Sequence, residues 1–254
     1  MGEASLAAVI DPQQQEEQHV STSPRGAHDG RAGRVVRTSA VVGAAALVLG
    51  GCGGLRPGTA AEVGEERITT AEVDQVAGQF CDALREQLDS QAQTIPHSFL
   101  RGGIAATLAM REVAEQVADD YGVEPDSPEY VQQMRDLRRN VASLPEEQEQ
   151  AVIQVESAPF YVEEVQAAVG EELRDGEGDR DDFIAAGDEE MQRWISEHGV
   201  EFNPSLNTTV QDGRITTSDQ SLSFAVSEEA KAGMEEQPNA MLARQLPESH
   251  RCGR

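Results

Sequence analysis

Lysine is all but missing from this chain. Of its 254 residues only Lys231 is one, and the remaining positive charge is arginine. Aromatic residues make up 4% with a single tryptophan, so a core has to be built from Val, Leu, Ile and Ala. Long hydrophobic runs are missing too. The most apolar run, residues 40–49, is ten residues long, whereas a helix needs about 20 to cross a bilayer. That excludes a membrane-spanning helix there. Phosphate-cradling patterns of the GxxxxGK[ST] and GxGxxG type do not occur, and neither does a GxSxG nucleophile turn, so nucleotide binding and serine hydrolysis have no motif to stand on.

What is abundant is acid. The chain carries 46 acidic and 20 basic residues. Residues 1–51 hold five of the acids and four of the arginines, which leaves 41 acidic against 16 basic residues from Cys52 onward. Such a charge keeps a protein soluble and repels nucleic-acid phosphates and anionic lipid headgroups, so nucleic acid is not an expected partner. The bias towards arginine, with abundant Ala, Gly and Val, is that of a high-GC bacterial genome.

Arg31, Arg34 and Arg37 precede the apolar run, which ends in small residues before Cys52. Positive residues, a short apolar core and a small-residue cut site are the three parts of a secretory signal. Leu49-Gly50-Gly51-Cys52 resembles the lipobox of bacterial lipoproteins. The resemblance implies diacylglycerol on the Cys52 thiol, and two acyl chains meet the requirement for stable membrane attachment. The competing reading is a chance apolar stretch ending at a cysteine. Residues 1–30 are polar and longer than a signal needs, which suggests an over-extended gene start with the true one at Val20 or Val35. The expected location is the extracytoplasmic face of a cell membrane.

The chain has three cysteines, Cys52, Cys81 and Cys252. An odd number in an exported protein calls for an explanation. With Cys52 lipidated, Cys81 and Cys252 remain as an even pair in a compartment where disulfides persist. The expectation is a Cys81–Cys252 bridge, with two free buried thiols as the alternative. Chain entropy puts a ceiling of roughly 5 kcal/mol on what so long a loop closure contributes.

Along the chain, residues 52–59 read as a lipidated tether, and residues 60–69 as a strand-turn-strand with Gly64 at the turn. Thr69 and Glu72 form a capping-box pattern, opening a helix near Thr70 whose apolar stripe is Val73, Val76, Phe80, Leu84 and Leu88. A second helix is predicted from about Ser98 to Tyr121, with Ile104, Leu108, Val113 and Val117 inward and Gly122 as C-cap. A third begins with Ser127 as N-cap and Pro128 at N1, carrying Val131, Met134, Leu137 and Val141. Ser143 and Glu146 suggest another capping box, opening a helix through Val152, Val155 and Val169 that Pro159 must kink or break. After a polar loop over 174–182, a last helix runs through Phe183, Ile184, Met191, Trp194 and Ile195 to Gly199. Residues 200–202 and 221–226 alternate as strands do, with turn signals at Asn203-Pro204 and Asp212-Gly213, and the extreme C-terminus reads as irregular.

The segment Ala61-Glu-Val-Gly-Glu-Glu-Arg-Ile-Thr-Thr-Ala-Glu-Val-Asp74 resembles the opening of SurA-type and PrsA-type extracytoplasmic chaperones. The multi-helix body and the late Val200–Pro204 segment are similar to the SurA N-terminal domain, so the resemblance covers residues 58–204. With the lipobox and the C-terminal cysteine, the whole resembles actinobacterial lipoproteins of this group. The resemblance implies a mainly α fold in which an early and a late strand pair, a helical domain over 60–204, and C-terminal strands with a tail over 205–254. It also implies binding of unfolded or exported polypeptides in an apolar groove, marked by a large exposed apolar patch. It does not extend to the parvulin isomerase domain, for which the 55 or so residues after the last helix leave no room. A structural or adaptor role for one dedicated partner is the alternative.

No catalytic residue, metal site or cofactor is expected. Asp175, Glu177, Asp179 and Asp181 alternate like the start of a calcium loop. Arg180 and Ala186, however, stand where an EF-hand needs Gly and Glu, so a solvated acidic loop is the reading. Trp194 and His198 share a helix face, but core and C-terminal cap account for them. His97 follows Pro96 with no identifiable partner.

Overall fold

The computed structural model describes residues 55–217 and 240–253. Leu49, Gly50, Gly51 and Cys52 lie outside them, as does the strand expected at 221–226. The described residues form one compact unit, mainly α with small antiparallel strand pairs.

Two short strands open the fold. β1 (Thr59–Val63) and β2 (Glu66–Thr69) pair antiparallel around Gly64, whose φ of +57° a side chain rarely adopts. Thr59, expected to lie before the first strand, already belongs to β1 and is fully buried. The far edge of β1 takes β4 (Val200–Phe202), with Val63 opposite Val200 and Ala61 opposite Phe202. An early strand therefore pairs with a late one. Ala60, Ala61 and Val63 have no exposed surface. Asn203 closes the sheet end, its backbone N–H donating to Ala60 O at 2.8 Å and its Nδ2 to Thr59 O at 3.0 Å.

α1 (Thr70–Ser90) starts where the capping pattern places it, the Glu72 N–H donating to Thr69 Oγ1 at 3.1 Å. Val73, Val76, Phe80 and Leu88 are buried and Leu84 is half-buried. α2 (His97–Tyr121) is the central helix, ending at Gly122 in the left-handed region. Its Ile104, Leu108, Val113 and Val117 are all buried, and Gln116 Nε2 reaches the Val63 carbonyl at 3.1 Å, tying helix to sheet. α3 (Pro128–Val141) has Ser127 as its cap, accepting from the Tyr130 N–H at 3.2 Å. Here the expected stripe fails as a core face. Only Val141 is buried, and Val131 is 36% exposed. A periodic pattern says that a face can be buried, not that a neighbour arrives to bury it.

α4 (Glu146–Glu156) does not use Ser143. Pro145 stands at its N-cap with φ −54° and ψ 145°, and no side chain caps the helix. The proline disfavours helical geometry at Leu144, so the first helical turn has to form after it. α5 (Ala158–Leu173) follows after a break at Ser157, as Pro159 requires. α6 (Arg180–His198) begins earlier than expected. Asp179 and Asp182 cap each other's backbone N–H at 3.3 and 3.1 Å, an aspartate doing at N3 what Glu or Gln usually does.

α5 and α6 form a hairpin with direct backbone contact. A methyl group at Gly170 would overlap the carbonyl of Phe183, and one at Gly187 the carbonyl of Gln166. Glu164, nearly enclosed, accepts from the Ser127 N–H and from Arg180, both at 3.1 Å, and so joins α3, α5 and α6.

After β4 a 3-10 turn (Pro204–Leu206) buries Leu206 in the main core. β5 (Thr208–Gln211) and β6 (Arg214–Thr217) then form a hairpin around Asp212-Gly213, both at positive φ. The turn is legible in the sequence, but the strands flanking it are not, being short and polar. Residues 240–253, expected to be irregular, carry regular elements. After α7 (Ala240–Ala243) and a 3-10 turn (Glu248–His250), β7 (Arg251–Gly253) pairs antiparallel with β3 (Thr94–Pro96). Cys252 thereby comes to Cys81 of α1 in a disulfide, with Cα atoms 5.6 Å apart, packed with Leu88 in a small cluster of its own. No helix of the described residues is long and apolar enough to cross a membrane.

Candidate functional site

Small side chains leave a cleft between two helices of this fold. α2 presents Ala106, Thr107 and Met110 towards the first turn of α5, which answers with Ala158, Pro159 and Val162. Ile215 of β6 forms the third wall. Alanine on both helices leaves space that larger residues would fill, and the result is an open, apolar cleft of about 300 Å³. That is the lower end of the range for small-ligand sites, roughly 300–1,000 Å³, and suits a side chain or two.

One residue beyond Met110 the wall turns polar. The Arg111 guanidinium lies 4.5 Å from the centre of the Tyr161 ring, pairs with Glu115 at 2.8 Å and donates to Ser157 Oγ at 3.5 Å. Tyr161 in turn meets Tyr130 of α3 edge-on, with ring centres 6.4 Å apart. Burial pushes both phenols above their ordinary value; for Tyr161 the Glu115 carboxylate adds to this and Arg111 opposes it. The cluster holds α2, α3 and α5 together at the edge of the cleft. It has no nucleophile with a base beside it, and its cation is already neutralised.

The residues singled out from the sequence are dispersed. Cys81 and Cys252 meet, far along the chain from the cleft-forming residues. Trp194 is buried, donates from Nε1 to Asp120 at 3.0 Å and covers Gly64. His198 stacks on it with ring centres 4.3 Å apart, its Nδ1 3.0 Å from the Trp194 carbonyl, as core and cap would have it. His97 begins α2 half-buried. Of the alternating acids, Asp179 is the α6 cap, and among the described residues no group of three His, Cys, Asp or Glu side chains is arranged to hold a metal ion.

The cleft residues are absent from the stripe assigned to α2, although a signal for them exists. Ala106 and Met110 follow Val113 and Val117 back along the helix at three- and four-residue steps, on the side opposite Ile104 and Leu108. The large exposed apolar patch expected of a holdase is not found among the described residues. There, only Val131, Leu173 and Met241 are large, apolar and exposed. No protein-family model, curated protein or solved structure matches the chain.

Proposed function

We propose that this chain is a non-catalytic lipoprotein, anchored through Cys52 on the outer face of a membrane, whose helical domain holds short apolar stretches of exported polypeptides. The observation that carries the binding role is the apolar cleft between Ala106, Met110, Ala158, Pro159, Val162 and Ile215. Apart from the Thr107 hydroxyl its lining is apolar, which favours an aliphatic ligand over a polar one. The pairing of an early strand, β1, with a late one, β4, supports the reading, as does the Cys81–Cys252 pair, which suits an oxidising compartment.

A second reading has its own observation. Exposed apolar surface is scarce among the described residues, which favours one dedicated partner over many unfolded clients, since promiscuous binders use broad adaptable surfaces.

One substitution separates these readings from each other and from error. Ala106→Phe fills the cleft from a half-buried position. The holding role predicts that the parent protein suppresses aggregation of a reduced, unfolded client and that the variant does so at least tenfold less well. The adaptor role predicts one stoichiometric partner in crosslinking, lost in the variant, with no effect on aggregation. A variant as active as the parent in both assays removes the cleft from either function.

A further inference from the structure

Positive charge is rare from Cys52 onward, and half of the described arginines lie against a carboxylate. Arg85, Arg101, Arg111, Arg180, Arg193 and Arg214 each pair with a carboxylate. α3 differs in how closely its arginines are clustered. It carries Arg135, Arg138 and Arg139 within five residues. Arg139 pairs with Asp136, whereas Arg135 and Arg138 form no ion pair with any described residue. At steps of three and four these arginines lie side by side on the helix and repel one another. The helix dipole explains basic residues in the last turn, which covers Arg138 and Arg139 but not Arg135.

The apolar residues of α3 complete the pattern. At 100° per residue, Val131 falls between Arg135 and Arg138, at the border of the stripe formed by Met134, Leu137 and Val141. Val131 is exposed, and Met134 and Leu137 are only half covered. A cationic row running along a partly open apolar stripe is the arrangement of helices that lie in a membrane interface, where arginine stems cover apolar surface and their guanidinium groups reach phosphates.

We infer that α3 is a membrane-facing surface that docks on anionic phospholipid headgroups through Arg135, Arg138 and Arg139, and so orients the domain against the bilayer. The net charge of the chain does not prevent this. At physiological ionic strength the Debye length is about 8 Å, so carboxylates on distant faces are screened while the local arginines act at contact range. From the proposed function the inference takes only the nearness of a membrane, because the contact is a property of α3 itself.

The test uses the full chain with Cys52→Ser, so that no acyl chain contributes, and vesicles of phosphatidylglycerol with phosphatidylcholine against vesicles of phosphatidylcholine alone. The expected result is sedimentation with the anionic vesicles only, fading as salt is added. Replacing Arg135, Arg138 and Arg139 together by Gln should weaken it by on the order of a hundredfold, about fivefold per arginine. The same three positions changed to Lys should keep most of the binding, and equal helical circular dichroism should show that all the variants are folded. The inference fails if both vesicle types bind the parent alike, if neither does, or if the Gln variant binds as the parent does. Binding to polyglutamate in place of vesicles would also overturn it, assigning the row to an acidic polypeptide. Because Cys52 is already altered, absence of lipidation in the cell would leave this result untouched, and failure of the vesicle test would leave the cleft reading untouched.

Discussion

α3 and the α5–α6 hairpin invert the usual relation between pattern and packing. α3 has the most cleanly segregated apolar and polar faces of the six long helices, yet it buries one residue, Val141. α5 and α6 are weakly amphipathic, yet they bury Val165, Ala167, Val169, Met191, Trp194 and Ile195 and touch backbone to backbone. The difference lies in what meets each helix. α5 and α6 are consecutive and antiparallel, and glycine at the crossing brings them close enough for many small contacts to add up. α3 has neighbours on one side only, and its remaining apolar edge faces outward with arginines beside it.

The comparison breaks first, and with the largest effect, at the crossing glycines. Gly187→Ala and Gly170→Ala each force the two backbones apart. Each is expected to cost about 3 kcal/mol or more, at the upper end of what overpacking does, measured by urea denaturation. A loss under about 1 kcal/mol would mean that the hairpin is looser than its geometry indicates. Next come matched truncations. Val165→Ala, at a position with no exposed surface, should cost about 2 kcal/mol, whereas Met134→Ala on α3 should cost under about 1 kcal/mol. Equal losses would show α3 to be covered after all. The caps should differ less. Ser127→Ala and Asp179→Ala each remove a side-chain acceptor and should each cost about 1 kcal/mol. Asp179→Ala should show the larger loss, since it ends a reciprocal pair. The smallest effect is alkaline. All three tyrosines, Tyr121, Tyr130 and Tyr161, have phenols raised from 10.0, chiefly by burial. The unfolded chain therefore releases these protons first. Stability from this source is complete below pH 10 and falls as pH rises past it, a slope that Tyr161→Phe should reduce in thermal melts.

Much of the scaffold can be read from local chemistry. Thr69, Ser127, Gly122 and Pro159 each set a helix boundary through a single backbone requirement, a missing acceptor, a left-handed residue or a lost N–H, and such requirements act within one turn. The boundary at Pro145 belongs to the same class, although the Ser143–Glu146 pattern competes with it. β3 and β7 are a different matter. Each is three residues long, they lie more than 150 residues apart in the chain, and nothing in either alternates strongly enough to announce a strand. The cleft is hidden for a related reason. Ala106 and Ala158 matter for the volume they leave empty, and an empty volume exists only once two helices have been set side by side.

By itself, the sequence determined the excess of acid, the near absence of lysine and most of the helix boundaries, because each of these depends on residue identity or on neighbours within one turn. Tertiary structure alone decided that α5 and α6 meet at glycines, that Ala106, Ala158 and Ile215 face one opening, and that the best-patterned helix stays half uncovered. Burial is a property of pairs of surfaces. A helix carries one of the two surfaces in its own sequence, and the fold supplies the other.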